Sequence, residues 1–355
     1  MLVYLPLEPY KERYTILLSS KNGWFESKLK KYKIKFMRVE GESLGKDIRN
    51  GQVLDCYNRS YYSLTQIAKV VKLIKSGKIK DGDILYLDDF WTPGIEAIPY
   101  ICSQLGISIK IYAMLHAQSV DKYDFTYKMK NWMRHYEIGQ SNYMSGVFCT
   151  SEYLIDLCTE AGLKNVFFGG LPYNLQELLK FAPRNVSAKK NQIIYTSRLD
   201  SEKNPMLVLR IAEMLKSRYE FVITTSAKEL RSNRPIIVKE FKAAEKKGII
   251  TIKTGLTKKQ YYNELMKSKY QLNTAYQDWL SWTLLESLTY HCIPIYPKYR
   301  SFPEYLPAEY LYEPRSAESA AEVIDRHSIF DKELLKIPEY YDKSVERYLQ
   351  LMGLI

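Results

Sequence analysis

The sequence predicts an α/β protein made of two doubly wound, parallel-sheet domains, and three observations carry that expectation. Short β-rich segments alternate with helical stretches along nearly the whole chain, as parallel strands joined by crossover helices require. The alternation stops once, in the turn-rich, Lys-bearing segment from Gly169 to Lys190, and then resumes. The length of 355 residues is that of roughly two domains of about 150 residues.

In the first half, strands are expected at Met1–Leu5, Tyr14–Leu18, Lys35–Val39, Asp83–Leu87, Ile107–Met114 and Gly146–Cys149. Helices are expected between them at Trp24–Lys31, Ser63–Ser76, Pro93–Leu105, Tyr127–Tyr143 and Glu152–Ala161, where apolar residues recur at helical spacing. After a connection over 171–190 containing Pro183 and Lys189-Lys190, the second set begins with strand Gln192–Tyr195 and helix Pro205–Lys216. It continues with strand Glu220–Thr224, helix Ile236–Lys247, strand Ile249–Ile252, helix Lys258–Lys267 and strand Tyr270–Asn273. Helix Ser281–Tyr290 and strand Ile293–Tyr296 complete the set. The expected domains are therefore 1–170 and 191–336, with one closing helix, Ile337–Gly353, in the terminal stretch 337–355.

Composition excludes several classes. With 46% hydrophobic and 26% charged residues, the chain is neither disordered nor fibrous. Five scattered cysteines, none spaced as C-x-x-C, give no disulfide framework and no zinc ribbon, which fits a reducing, cytoplasmic setting. The sequence shows no secretory leader and no run of about 18 apolar residues, so a soluble protein is expected. Lys and Arg number 52 against 40 acids, a net charge of +12 that favours an anionic partner. Most of the 31 tyrosines are expected to serve packing and surface roles.

Chemistry concentrates after the first strand of the second domain. Thr196-Ser197-Arg198-Leu199-Asp200-Ser201-Glu202-Lys203-Asn204-Pro205 is a strand end, a loop and a Pro-started helix. Loops at the C-terminal ends of parallel strands bind ligands, and Arg198 and Lys203 offer two cations to one diphosphate. Further on, Asp278 and Glu286 stand with seven residues between them around Ser281-Trp282-Thr283, before Cys292-Ile293-Pro294-Ile295. A helix beginning at Ser281 would present backbone N–H groups to an anion.

These segments resemble the retaining glycosyltransferases of family four, which have the GT-B fold. R-L-x-x-E-K-N resembles the family's diphosphate loop, with Ser197 where a glycine is usual, and Asp278 with Glu286 resembles its E-x7-E signature. The first acid here is Asp, and Asp278-Trp279-Leu280-Ser281 stands where the family has a Gly-rich turn. The resemblance implies two Rossmann-like domains facing across a cleft, with a C-terminal helix crossing back. It also implies a first domain that holds the acceptor and a second that holds a nucleotide sugar, with Glu286 on the ribose hydroxyls and Asp278 at the donor sugar. Arg198, Lys203, Ser281, Trp282 and Thr283 would meet the diphosphate. Fainter echoes are Thr254-Gly255 with Glu264-Leu265, Thr150-Ser151, and His116 at a strand end where relatives carry a histidine near the donor sugar.

In the first domain the family's Gly-rich loop is replaced by Leu5–Tyr14, whose Tyr10 and Arg13 are candidate acceptor contacts. Asp88-Asp89-Phe90-Trp91-Thr92 has two readings. Either Asp88 or Asp89 orients or deprotonates an acceptor hydroxyl while Trp91 stacks on a ring, or Asp89 and Thr92 merely satisfy backbone groups at a helix start. The four histidines stand apart, so no metal is expected and no cofactor beyond the donor substrate. The acceptor too has two readings. One is a hydroxymethylated pyrimidine in double-stranded DNA, as for phage-type DNA glycosyltransferases, suited by the basic stretches Lys28–Lys35, Lys128–Arg134 and Lys228–Arg234. The other is a lipid-linked or cell-surface saccharide reached at an anionic membrane through a helix such as Trp24–Lys35. A non-catalytic relic that binds nucleic acid is the reading from a different class, and intact Arg198, Lys203 and Glu286 speak against it.

Overall fold

The computed structural model describes residues 1–10, 15–45, 55–116, 118–181, 188–276 and 278–355. The chain divides into two compact units, one of Met1–Tyr173 with Lys343–Ile355, the other of Asn174–Asp342.

The first unit runs β1 (Leu2–Leu5), α1 (Thr15–Leu18), α2 (Trp24–Lys31), β2 (Phe36–Arg38), α3 (Cys56–Lys75), β3 (Ile84–Leu87) and α4 (Ala97–Leu105). It continues with β4 (Lys110–Met114), α5 (Lys130–Tyr143), β5 (Gly146–Cys149), α6 (Glu152–Glu160) and β6 (Val166–Phe168). Its strands form one parallel sheet in the order β2-β1-β3-β4-β5-β6, with Tyr4 opposite Tyr86. The order reverses between β1 and β3, the kind of position at which open parallel sheets bind ligands.

The second unit runs α7 (Leu175–Leu179), β7 (Lys190–Tyr195), α8 (Pro205–Leu215), β8 (Glu220–Thr224), α9 (Pro235–Lys246), β9 (Thr251–Lys253), α10 (Lys258–Lys267) and β10 (Ser268–Leu272). Then come α11 (Trp282–Thr289), β11 (Ile293–Pro297), α12 (Phe302–Tyr305), β12 (Leu311–Tyr312), α13 (Ala317–Arg326) and α14 (Lys336–Asp342). The sheet is again parallel, in the order β12-β11-β10-β7-β8-β9, and it reverses between β7 and β10. The last helix, α15 (Ser344–Leu351), belongs to the first unit.

Tyrosine fills both cores. In the first unit Phe25 stacks on Tyr86 at 4.6 Å, and Tyr348 of α15 stacks on Phe148 at 4.3 Å. Tyr348 sits so close to Gly169 that a Cβ there would collide with its ring, and its hydroxyl donates to the Gly170 carbonyl at 2.8 Å.

Several expectations need correction. The strand expected at Tyr14–Leu18 is helix α1, and Tyr14 itself lies outside the described residues. Both edges of β1 are taken by β2 and β3, and the short stretch after Leu5 could not make a parallel crossover, which needs about a dozen residues. The single closing helix is two, α14 and α15, divided at Lys343 because Tyr341 is buried in the second unit and Tyr348 in the first. The connection over 171–190 holds α7, and Lys190 already opens β7, while Pro183 lies outside the described residues. Strands β6 and β12 and helix α13 were not expected. Trp24 and Phe25, which the membrane reading placed on a surface helix, are 5% and 0% exposed and belong to the core.

Candidate functional site

In the second unit the residues singled out by sequence gather at the sheet reversal. β7 delivers the loop carrying Arg198 and Lys203, and β10 delivers the loop carrying Asp278. The two loops are tied together, since the Lys203 carbonyl accepts from Thr274 Oγ1 at 2.8 Å and the Tyr276 N–H donates to the Glu202 carbonyl at 2.8 Å. Asn204, in the left-handed region at φ 47°, turns the chain into Pro205 at the head of α8. Lys203 is buried and its Nζ lies 3.7 Å from Asp278 Oδ2. Arg198 is half exposed and pairs with Asp200 and, at 2.8 Å, with Glu202. Both cations thus face carboxylates that an incoming diphosphate would displace or share.

Helix α11 begins directly after Asp278-Trp279-Leu280-Ser281. Its N-cap, Ser281, is extended and makes no side-chain capping bond; its hydroxyl meets Thr283 Oγ1 instead. The Ser281 hydroxyl therefore does not cap α11, whose N-terminal end carries the partial positive charge that suits an anion. Trp282 and Thr283 are half-buried in that first turn. The loop after β11 props this turn: Ser301 Oγ donates to the carbonyls of Asp278 and Trp279, and Arg300 lies 5.3 Å from the Trp279 ring centroid.

Glu286, one turn into α11, is 2% exposed. It accepts from Tyr261 at 2.9 Å, Tyr262 at 3.2 Å and Lys258 at 3.2 Å, all on α10. Burial first, then the Glu286 carboxylate, pushes the Tyr261 hydroxyl well above its ordinary range, so it stays a donor at neutral pH. A carboxylate has about four acceptor positions, so three bonds leave Glu286 room for another donor. These three partners were not singled out from sequence. The legible signal was the capping box of Thr257 and Gln260, which fixes where α10 starts and so which of its residues face Glu286.

The first unit brings a different set together at its own sheet reversal. Asp88, after β3, is 1% exposed and accepts from Tyr4 Oη at 2.6 Å and the Leu7 N–H at 3.2 Å. Burial raises its carboxyl above the ordinary range, against the pull of the bonds from Tyr4, Ser19 and Leu7 and of nearby His116. His116 Nε2 lies 2.6 Å from the Asp88 carbonyl oxygen, so the two residues are neighbours. Asp89 is held by Arg59 at 3.0 Å, accepts the Trp91 N–H at 3.2 Å and receives Thr92 Oγ1 on its carbonyl at 2.7 Å, the backbone-satisfying arrangement. Trp91 is half-buried beside it.

Tyr10 donates to Glu8 at 2.9 Å and accepts from Asn58 at 2.6 Å; burial raises its hydroxyl to about 12. Arg13 lies outside the described residues. Glu8, Asn58 and Arg59 join this cluster unforeseen, because α3 starts at Cys56 whereas its apolar periodicity becomes readable only from Ser63. Thr150 is buried, and Ser151 caps α6 through the Leu154 N–H at 3.1 Å. Among the described residues, no three His, Cys, Asp or Glu side chains converge as a metal site, and no helix is long and apolar enough to cross a membrane.

No protein-family profile matches the chain, and no curated protein matches it in sequence. Solved structures do. S. aureus TarM in complex with fondaparinux, α-GlcNAc-glycerol and UDP is similar over 82% of this chain and 59% of its own length, with 15% identity and a TM-score of 0.56. This chain thus spans about three fifths of TarM. Sucrose-phosphate synthase from Thermosynechococcus elongatus is similar over 99% of this chain and 94% of its own, with 12% identity and a TM-score of 0.66. Anabaena HepE in complex with UDP and glucose is similar over 99% and 98%, with 11% identity and a TM-score of 0.67. At such identities the likeness concerns architecture, and it agrees with the paired parallel sheets: this chain has the GT-B fold, two Rossmann-like domains of the kind these glycosyltransferases share.

Proposed function

We propose that the protein is a glycosyltransferase that moves a sugar from a nucleotide sugar, a UDP-sugar, to a hydroxyl acceptor with retention at the anomeric carbon. The observation that carries this reading is the convergence of Arg198, Lys203, Asp278, the N-terminal end of α11 and the buried Glu286 at one sheet reversal. UDP in the TarM and HepE structures supports the choice of nucleotide.

In this reading Glu286 accepts from the ribose diol, and Asp278 faces the donor sugar. Arg198 turns from Asp200 and Glu202 to the diphosphate, and Lys203 and the α11 N–H groups join it there. Charge grows on the leaving diphosphate in the transition state, so these are the contacts whose loss should lower the rate most. Protein cations and a helix terminus then do the work that a metal ion does elsewhere. His116 and Asp88 form the polar end of the acceptor unit, with Asp88 holding or taking a proton and Asp89 fixing the turn; Tyr10 and Trp91 line the acceptor.

For the acceptor, the net charge of +12 supports a hydroxymethylated pyrimidine in DNA. The same charge also suits the second reading, a saccharide or lipid-linked acceptor at an anionic surface. The test is a panel of nucleotide sugars offered with hydroxymethylated DNA, plain DNA, oligosaccharides and polyprenyl-linked saccharides, read by mass spectrometry. Sugar on one acceptor class that disappears in Glu286→Ala and Arg198→Ala supports the site. Transfer that survives both substitutions overturns it.

A further inference from the structure

The loop after β7, Arg198 to Asn204, is held at its ends and at its apex by different parts of the second unit. At the ends, Tyr195 Oη, which burial keeps protonated, is shared between the Arg198 and Lys203 carbonyls at 3.3 and 3.4 Å. The loop after β10 takes the Glu202 and Lys203 carbonyls. Among the described residues, the hydrogen bonds that reach the apex, Leu199 to Ser201, from outside the loop come from Ser232 and Asn233, between β8 and α9. Ser232 Oγ donates to the Leu199 carbonyl at 2.6 Å, and the Asn233 N–H donates to Asp200 Oδ1 at 2.7 Å. The Asn233 amide accepts the Ser201 N–H at 3.0 Å and donates to Ser201 Oγ at 3.1 Å.

Ser232-Asn233-Arg234-Pro235 has the composition of a helix start, where a short polar side chain ordinarily caps the helix that follows it. Here α9 has Arg234 at its N-cap with no side-chain capping bond, and both ends of the Asn233 amide turn to Ser201 instead. Asp200 carries the tie onward. One of its oxygens takes the Asn233 N–H and the other pairs with Arg198, whose second terminal nitrogen meets Glu202 at 2.8 Å. Arg198 is long and half exposed, so its guanidinium would otherwise range over many rotamers, and a guanidinium fixed before its ligand arrives loses less freedom on binding.

We propose that Asn233 is a positioning residue for the donor diphosphate: it holds the apex of the loop after β7, and through Asp200 it sets where Arg198 stands. The inference rests on the reading that Arg198 meets the diphosphate, and it adds a residue from a loop that contributes no other group to that site.

The test is calorimetric titration of the full chain with UDP and with UMP, which lacks the second phosphate. Asn233→Ala should weaken UDP about three- to tenfold, the weight of one or two hydrogen bonds, and leave UMP within about twofold. Ser232→Ala should act in the same direction. In the double variant Arg198→Ala/Asn233→Ala, UDP should bind no more weakly than in Arg198→Ala alone, because the asparagine acts through the arginine. Asn233 is exposed, and an unchanged melting temperature verifies the fold of the variant. The inference is overturned if Asn233→Ala binds UDP as the parent does, if it weakens UDP and UMP alike, or if the two substitutions add. Arg198→Ala separates this question from the donor-site reading. If it lowers UDP affinity against UMP while Asn233→Ala does not, the positioning role alone fails; if it leaves that ratio at the parent's value, the donor-site reading fails and the inference with it.

Discussion

At the scale of single residues, Glu286 and Asp88 show how two buried carboxyls in one chain are set to opposite tasks. Glu286 receives three donors from α10, whereas Asp88, bonded by Tyr4, Ser19 and Leu7, is pushed toward its protonated form by burial. Glu286→Gln should therefore weaken UDP binding by about ten- to a hundredfold, the weight of a hydrogen bond to a charged group, while Tyr261→Phe should cost about fivefold. Calorimetric titration with UDP checks both, and an unchanged affinity in Glu286→Gln would remove the ribose role. For Asp88 the sign follows from linkage. Its folded carboxyl titrates above the ordinary 3.8, so its stabilising contribution is present below that value and is lost as pH rises through the raised one. Asp88→Asn stays neutral, so its stability relative to the parent should climb across that window, by about 1.4 kcal/mol for each pH unit of separation, read as a rise in relative melting temperature. Parallel melts across acidic to neutral pH would reveal a flat difference if the carboxyl were unperturbed.

At the scale of elements, legibility tracked how far apolar periodicity and turn chemistry speak for themselves. On the donor side β7 was readable from its apolar end Ile193-Ile194-Tyr195 and the Pro-started helix that follows, which placed Arg198 and Lys203, whereas β10 mixes polar and apolar residues and Asp278 and Glu286 came from the resemblance of their spacing to the E-x7-E signature. The first two turns of α3 were not, since Cys56–Tyr62 carries polar and aromatic residues whose burial depends on the loops beside them; Glu8, Asn58 and Arg59 went unseen with it. Lys189 read as part of a charged connector. It is instead half-buried and donates to the Leu265 and Tyr290 carbonyls, fixing the C-terminal ends of α10 and α11. Lys189→Met should leave those carbonyls without their donor and lower stability by about 1–3 kcal/mol, measurable by chemical denaturation. A stability equal to the parent's would mean that water replaces the ammonium. Edge strands β6 and β12, three and two residues long, were too short for any pattern to declare them.

At the scale of the whole molecule, the first unit is discontinuous in sequence. Its core of Tyr86 and Phe148 is completed by Tyr348, a residue far along the chain. Tyr348→Ala should cost about 3–5 kcal/mol, as loss of a large buried aromatic does, and the crowding at Gly169 means that Gly169→Ala should cost about 1–3 kcal/mol through overpacking. Denaturant melts followed by circular dichroism measure both, and a Tyr348→Ala protein as stable as the parent would mean that α15 merely rests on the unit.

Domains made on the ribosome ordinarily settle in the order in which they emerge, the N-terminal one first. Here the unit synthesised first waits for α15, so the nascent chain carries an unfinished aromatic core while the second unit is being translated. Completion of the first unit is thereby tied to translation of the whole second unit, and any shortened product ending before Tyr348 would leave Phe148 and Gly169 facing an empty seat.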